Sequence, residues 1–287
     1  MRLTRTQFVG AAVSIGLIVP AAALAATITG GPGSERLRGT NGVDQIDGNG
    51  GNDRIHGLDG ADALTGGSGN DRVFGMRGND AITGVQGNDF LSGGPGDDQI
   101  TGDVNGAGDR TSFDRIFGGS GNDTLRGGDS YDRIGGGSGN DIAFGENGND
   151  RMSGGSGDDA QDGGAGNDVI FANRGADASS GGDGNDVLWA LARADVAPGP
   201  GVDQVGDTLD GGNGDDVVRT RDGEVDRVTC GAGNDRAQLD NVDVIVDATA
   251  AAPNGSCETV VRKAPRAAGE SRSEDRQESP AEAGTTD

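Results

Sequence analysis

An aspartate recurs every nine residues over most of this chain, and this period constrains the fold more than any other feature. One unbroken run extends from Asp44 to Asp98 and a second from Asp114 to Asp186, with every step equal to nine residues. A fixed period is typical of solenoids, in which each repeat is one structural unit stacked on the next. The sequence therefore predicts a stack of short repeats rather than a conventional globular domain.

Each repeat follows a pattern of nine places, G-G-x-G-x-D-x-U-x, in which U is apolar; residues 66–74 are an example. We expect a six-residue turn followed by a three-residue strand. Glycine at the first and fourth places permits positive φ and close backbone approach, and asparagine at the fifth place also tolerates left-handed geometry. The eighth residue points inward and its neighbours outward, so two repeats make one coil whose strands pair in parallel with the next, about 4.8 Å away.

The eighth place supplies the predicted core. It is apolar in most repeats, namely at Ile46, Ile55, Leu64, Val73, Ile82, Leu91, Ile100, Ile116, Leu125, Ile134, Ala143, Met152, Ile170 and Leu188. The pattern weakens at Gln161 and Ser179. A degenerate repeat with Glu35 in place of aspartate precedes the first run and resembles an N-terminal cap.

Composition excludes several classes of protein. The 287 residues include 58 glycines and only 3% aromatic residues, too few large apolar side chains for a conventional core. The formal net charge of −24 disfavours nucleic acid and anionic membranes as partners. Clustered carboxylates favour a hard cation instead, because they repel one another unless positive charge lies between them.

The repeat resembles the haemolysin-type, or repeats-in-toxin (RTX), calcium-binding repeat over about residues 30–238. The resemblance implies an all-β fold, a right-handed parallel β-roll or β-helix solenoid of nonapeptide repeats. It also implies several Ca²⁺ ions, held between turns two repeats apart by sixth-place carboxylates and backbone carbonyls. Such pairs are Asp62 with Asp80, Asp53 with Asp71, Asp123 with Asp141, and Asp132 with Asp150.

The full set of calcium ligands implied by the resemblance comprises the sixth-place aspartates: Asp44, Asp53, Asp62, Asp71, Asp80, Asp89, Asp98, Asp114, Asp123, Asp132, Asp141, Asp150, Asp159, Asp168, Asp186 and Asp216. Some turns depart from the family pattern, at Arg77, Ser130, Ala172 and Arg174. These departures put the sites that involve Asp80, Asp132 and Asp177 in doubt.

Calcium is expected to decide whether the chain folds. Ten ions, each about tenfold above its dissociation constant, contribute about 14 kcal/mol, which is comparable with the net stability of a whole domain. The alternative is that the aspartates only cap turns and the roll folds without metal.

The chain divides into five predicted parts: a signal peptide at 1–25, an N-terminal cap at 26–38, the roll at 39–238, a small C-terminal cap at 239–261 and a disordered tail at 262–287. Basic Arg2 and Arg5, an apolar stretch and Ala23-Leu24-Ala25 predict secretion with cleavage after Ala25. An uncleaved membrane anchor is the alternative. After cleavage we expect no insertion into the membrane.

Two insertions interrupt the period, near residues 103–113 and 190–206. They are either tolerated bulges or loops with a specific role, and residues 190–197 are rich in alanine and compatible with a short helix. The two cysteines, Cys230 and Cys257, predict a disulfide in an oxidising compartment, with two free thiols as the alternative.

No catalytic motif is apparent, and the only histidine, His56, is more simply a surface residue than part of a catalytic triad. We expect a calcium-dependent structural or interaction module, extracellular or at the cell surface, and not an enzyme. The alternatives are an adhesin that binds cell-surface or matrix components through its insertions and, remotely, a carbohydrate-active enzyme. Phe171 and Trp189 lie one coil apart and Phe117 three coils before Phe171, so they are expected to share an outward face that either binds a partner or covers the flank of the roll.

Overall fold

The computed structural model describes residues 25–103, 112–190 and 206–263, together with the backbone of residues 6–8. The chain folds as an all-β parallel solenoid built from two sheets. Among the described residues there is no helix, and hence none long and apolar enough to cross a membrane.

Within these described residues, the first sheet has 13 strands, all in parallel pairs. They are β1 (Thr6–Phe8), β2 (Thr27–Thr29), β4 (Gln45–Asp47), β6 (Ala63–Ser68), β8 (Ala81–Gln86), β10 (Gln99–Asp103), β12 (Thr124–Asp129), β14 (Ile142–Asn147), β16 (Ala160–Ala165), β18 (Ala178–Asp183), β20 (Thr208–Asn213), β22 (Arg227–Thr229) and β24 (Val244–Ile245). The backbone of β1 lies within the predicted signal segment and pairs with β2.

Over the same part of the chain, the second sheet has 12 strands and is also parallel. They are β3 (Arg36–Arg38), β5 (Arg54–Asp59), β7 (Arg72–Arg77), β9 (Phe90–Pro95), β11 (Arg115–Ser120), β13 (Arg133–Ser138), β15 (Arg151–Ser156), β17 (Val169–Arg174), β19 (Val187–Trp189), β21 (Val217–Thr220), β23 (Arg236–Leu239) and β25 (Thr259–Arg262). At about 4.8 Å per strand, this sheet extends for about 53 Å.

The predicted coil of two repeats is confirmed. From β2 onward, consecutive strands along the chain alternate between the sheets, and each strand pairs with the strand one coil away, as Ile55 does with Val73. The eighth-place residues form a buried file between the sheets. Gln161 and Ser179 are buried in the same file, where their side chains lie 3.2 Å apart, so each polar group has a partner.

Most strands are six residues long, so the prediction of three-residue strands was wrong. In the pair β5–β7, the pairing skips first-place Gly57 and continues to Leu58 and Asp59. The strand therefore extends into the first three places of the next repeat, because the backbone of those places still faces the neighbouring coil. The turn is correspondingly shorter than predicted.

The left-handed backbone conformation was predicted at the first and fourth places, and the fourth place is confirmed while the first is not. It occurs at the second and fourth places, as at Gly67 (φ 111°) and Gly69 (φ 125°), whereas first-place Gly66 does not adopt it. Leu58 (φ 93°) and Val85 (φ 100°) adopt it at second places without being glycine. First-place glycine is needed for close approach instead.

Both insertions leave the stack intact. Ile100 pairs with Leu125 across the first, and Leu188 with Val218 across the second. Most of each insertion, residues 104–111 and 191–205, lies outside the described residues, as does the predicted helix after Ala190.

The C-terminal segment continues both sheets, since β24 pairs with β22 and β25 with β23. Arg262, assigned to the tail by the sequence analysis, belongs to β25, and residues 264–287 lie outside the described residues. The predicted disulfide is confirmed: Cys230 and Cys257 are bonded, with Cα atoms 5.1 Å apart, and both are buried.

Breaking this disulfide is expected to destabilise the roll by about 3–4 kcal/mol, the chain-entropy value for its 27-residue span. The measurement is thermal unfolding in saturating calcium of the wild type and of a Cys230→Ser/Cys257→Ser variant. Equal melting temperatures would show that the bond contributes nothing to the folded state.

Phe171 and Trp189 are in register and stacked, with ring centroids 6.1 Å apart, as their spacing predicted. Phe117 lies in the same register column, three coils before Phe171. The expected exposure was wrong, because Phe171 is 1% and Trp189 6% exposed. Arginines cover their faces, with the guanidinium carbon of Arg151 4.6 Å from the Phe171 ring and that of Arg219 4.2 Å from the Trp189 ring. A partner-binding role for this pair stays a prediction.

Candidate metal centre

The sixth-place carboxylates form two ladders, one along each edge of the roll. In each step the backbone N–H of one residue donates to a carboxylate oxygen of its counterpart one coil later. The first ladder contains Asp44, Asp62, Asp80, Asp98, Asp123, Asp141, Asp159, Asp177, Asp207, Asp226 and Asp243. The second runs from Glu35 through Asp53, Asp71, Asp89, Asp114, Asp132, Asp150, Asp168, Asp186, Asp216 and Asp235 to Glu258.

In most members of each ladder, one oxygen of the carboxylate accepts a hydrogen bond and the other does not, as the contacts of Asp62 show. Asp44 N donates to Asp62 Oδ1 at 2.8 Å, and Asp62 N donates to Asp80 Oδ1 at 2.8 Å. Asp62 is 2% exposed, and its second oxygen, Oδ2, has no hydrogen-bond partner. Most ladder members share this arrangement, so each edge carries a file of buried carboxylate oxygens that still need a donor or a cation.

First-place glycines make room for these oxygens. A Cβ added to Gly66 would lie 2.6 Å from Asp71 Oδ2 and 2.9 Å from the carbonyl oxygen of Gly84, one coil later. A Cβ added to Gly75 would likewise meet a carboxylate oxygen of Asp80 and the carbonyl oxygen of Gly93. Each cleft between coils is therefore lined by a carboxylate oxygen and a backbone carbonyl, and any larger residue would fill it.

These clefts suit a hard cation. Calcium takes carboxylate and carbonyl oxygens in flexible geometry, whereas softer metals prefer nitrogen or sulfur ligands. Within the described parts of the chain, no three Asp, Glu, His or Cys side chains converge on one point. An ion in a cleft would therefore take only one or two carboxylates and draw its remaining ligands from turn carbonyls.

Comparison with known proteins agrees with this chemistry. The family described as the RTX calcium-binding nonapeptide repeat (four copies) matches residues 29–64, 56–91, 75–104, 111–143, 132–160, 162–191 and 206–237, which together exceed half of the chain. The chain belongs to the RTX calcium-binding nonapeptide repeat family. A search of curated proteins found no match.

RTX repeats bind Ca²⁺, and the two ladders of this member are consistent with calcium binding. Every aspartate in the predicted ligand set lies in one of the ladders, and the four predicted pairs are consecutive members of a ladder. Coordination of calcium by each of these residues stays a prediction.

The ladders carry a strong electrostatic penalty in the absence of metal. Burial, together with neighbouring carboxylates, raises the pKa of Asp132 to about 9 and that of Asp89 to about 8. Burial and Asp177, Asp226 and Asp222 raise the pKa of Asp207 to about 10. In each case the hydrogen bond from a backbone N–H lowers the pKa but does not offset the burial.

The RTX turns contain a further ladder at the fifth place. Asn70 N donates to Asn52 Oδ1 at 2.9 Å, and Asn88 N donates to Asn70 Oδ1 at 2.9 Å. This ladder is exposed, and its side chains accept from the following coil, whereas sixth-place side chains accept from the preceding coil. Asn52, Asn70 and Asn88 do not adopt positive φ, so the left-handed role predicted for these asparagines was wrong.

The departures from the repeat pattern do not interrupt the ladders. Asp80 and Asp132 make the same contacts as their neighbours, and Ser130 takes φ 87° in place of the usual glycine. Ala172 presents its carbonyl to the preceding coil as a glycine does, but it carries a methyl group at the place where first-place glycines elsewhere leave space for the sixth-place carboxylate. The doubt about a site at Asp177 therefore has a physical basis.

Sequence reasoning missed the last ladder members, Asp226, Asp243 and Glu258. The spacing changes here to 19 residues between Asp207 and Asp226 and then to 17 between Asp226 and Asp243. Two of them can be identified from the core residues that follow them. Val228 and Ile245 continue the buried file, and each lies two residues after a ladder aspartate, as in the regular repeats.

Proposed function

We propose that this protein is an exported RTX module that folds on binding several Ca²⁺ ions and acts as an extracellular or cell-surface structural or interaction element. The observation that carries the proposal is the file of buried carboxylate oxygens without hydrogen-bond partners. A buried charge without a partner costs several kcal/mol, whereas a cation between two coils offsets that cost and also links the coils.

The extracellular location is supported by the N-terminal sequence, by the Cys230–Cys257 disulfide and by the affinity expected of the sites. Extracellular calcium modules bind at about 10⁻⁴–10⁻³ M, which fits a compartment rich in calcium. Calcium-coupled folding would then keep the chain expanded until it leaves the cell.

We assign the protein a non-catalytic role. Its titratable groups with strongly raised pKa values belong mostly to the ladders, where the repeat geometry explains them. His56 lies on the outside of β5, where Arg54 donates to its Nε2 at 2.9 Å. This contact does not make the imidazole part of a nucleophile–base pair.

The experiment that tests this proposal is an amide substitution within one ladder, Asp132→Asn/Asp150→Asn. Asparagine keeps an oxygen for the incoming backbone N–H but removes the charge. The variant is therefore expected to be more stable than wild type in chelator, yet to need about tenfold more calcium for folding. Circular dichroism during calcium titration measures both effects.

Asp97→Asn/Asp158→Asn is the matched control. These fifth-place carboxylates also accept backbone N–H groups from a neighbouring coil, but both are exposed. The control is expected to keep the calcium midpoint within about twofold of wild type, since exposed charges are screened. A ladder variant that folds at the wild-type calcium concentration would show that these carboxylates do not bind the metal.

A further inference from the structure

The outer face of the second sheet carries a column of arginines. Seventh-place residues are directly in register from one coil to the next, about 4.8 Å apart. The column consists of Arg36, Arg54, Arg72, Arg115, Arg133 and Arg151, with Phe90 between Arg72 and Arg115. The equivalent strand positions of the first sheet carry mainly alanine, glutamine and threonine.

Four arginines of this column have no acidic partner among the residues that the structure describes. In the part of the chain that the structure describes, no carboxylate lies within ion-pair distance of Arg36, Arg54, Arg72 or Arg115, all of which are exposed. Like charges directly opposite one another in a sheet are destabilising. A protein with a net charge of −24 therefore concentrates unpaired positive charge on one stripe of its surface.

Aromatic side chains flank the column. His56, Phe74, Phe90 and Phe117 form a continuous row, with successive ring centroids 5.0, 5.5 and 5.6 Å apart. The guanidinium carbon of Arg54 lies 5.5 Å from the Phe74 ring centroid. Burial, then the charges of Arg54 and Arg38, lower the pKa of His56, so the arginines act on this row at short range.

Amide groups add a row of donors beside the arginines. Asn52, Asn70 and Asn88 each use Oδ1 to accept a backbone N–H, which leaves the Nδ2 group of each exposed side chain to donate. One open groove along the coils is lined by these amides, by Arg36, Arg54, Arg72 and Arg115, and by the rings of His56, Phe74 and Phe90. Its lining also includes Glu35 and the buried residues Asp53, Asp71 and Asp89 of the second ladder. The groove thus presents guanidinium donors in each of its coils except that of Phe90, together with amide donors from Asn52, Asn70 and Asn88, next to apolar ring surfaces.

From this arrangement we infer that the groove binds a linear acidic polysaccharide. Guanidinium groups pair with carboxylate or sulfate in bidentate geometry, amides donate to hydroxyls, and ring surfaces contact the apolar faces of sugars. A polymer with charges at regular intervals matches a column of arginines at a regular spacing, so several coils contribute to binding at once.

The aromatic row favours a sugar chain over single-stranded nucleic acid. A base that stacks between two rings needs about 7 Å between them, twice the stacking distance of about 3.4 Å. Here successive rings are already in contact at 5.0–5.6 Å. A ligand must therefore lie across the row rather than insert into it.

The inference rests on the proposed function, because the column exists only when the coils are stacked. The test uses the full secreted chain in calcium above the folding midpoint, at an ionic strength of about 0.15 M. Fluorescence anisotropy measures the binding of labelled chondroitin sulfate, with labelled neutral dextran and a thymidine oligonucleotide as comparison polymers. Circular dichroism of each sample reports folding separately.

The informative variant is Arg54→Gln/Arg72→Gln, and its matched control is Arg227→Gln/Arg236→Gln. The control removes two exposed seventh-place arginines far along the roll from the groove, with the same change in net charge. Wild type is expected to bind chondroitin sulfate and not dextran, the groove variant to bind at least about tenfold more weakly, and the control to stay within about twofold.

Several results would overturn the inference. Equal losses in both variants would mean that net charge alone governs binding, and equal binding of the oligonucleotide would mean that the groove does not select sugars. A folded protein that binds no polymer would reject the groove but leave the proposed function intact. A chain that calcium does not fold would reject both.

Discussion

Removing calcium with a chelator is expected to expand the folded protein into a largely unstructured chain. The apolar core is one file of buried side chains, whereas the two ladders bury carboxylates, whose charged form is disfavoured away from water. After loss of the predicted signal peptide, with Arg2 and Arg5, the net charge is two units more negative than −24, which adds long-range repulsion. Without cations in the clefts, stacking the coils therefore costs more than the core contributes.

Small-angle scattering measures this change. The radius of gyration is expected to increase from about 20 Å in millimolar calcium to about 55 Å in chelator, the values for folded and unfolded chains of this length. Magnesium is expected to restore the compact state poorly, since it demands strict octahedral geometry and retains its water. Equal recovery with both ions would show that the clefts screen charge without coordinating calcium.

Lowering the pH is expected to stabilise the fold in part when calcium is absent. The pKa values of the ladder carboxylates are raised in the folded, metal-free state, to about 9 for Asp132 and about 7 for Asp150 and Asp159, from 3.8. The folded state therefore binds more protons than the unfolded state. Its stability is fully present below about pH 4 and is lost as the pH rises through the folded-state pKa values.

In chelator, β-structure measured by circular dichroism is thus expected to be greater near pH 5 than near pH 8. In calcium the dependence is expected to reverse at low pH, because protons compete with the ion for the carboxylates. The Asp132→Asn/Asp150→Asn variant is the control, with a smaller pH dependence than wild type in chelator. A chelated wild type that is equally unfolded at both pH values would contradict the raised pKa values.

Much of the fold was predictable because two independent periods agree. The spacing of Asp53 and Asp71 and that of Ile55 and Val73 both define an eighteen-residue coil, and the structure pairs these residues in that register. The disulfide was predictable from an even cysteine count in a chain whose N-terminal sequence predicts export. These features depend on residue type and spacing alone.

Backbone details were less predictable, because they depend on where neighbouring coils touch. Glycine is frequent at first, second and fourth places for different reasons. Gly66 leaves space for Asp71 and for the carbonyl of Gly84, whereas Gly67 and Gly69 supply left-handed geometry. The sequence pattern alone does not separate these two roles.

The repeat pattern also did not predict which side chains on the outside of the roll are buried. Alternation predicts that Phe171 points outward, but large rings in adjacent coils stack on each other and beneath arginines, which removes them from solvent. The arginine column was visible in the sequence at seventh places but became a candidate site only when strand register showed which arginines are neighbours.

The central claim is that calcium ions in the clefts between coils drive folding, and one titration tests it most directly. Equilibrium dialysis counts bound calcium per chain while circular dichroism of the same samples reports β-structure. We predict that several ions bind cooperatively at about 10⁻⁴–10⁻³ M and that β-structure increases in parallel with occupancy. A folded spectrum in chelator, or a spectrum that stays unchanged as calcium is added, would contradict the account.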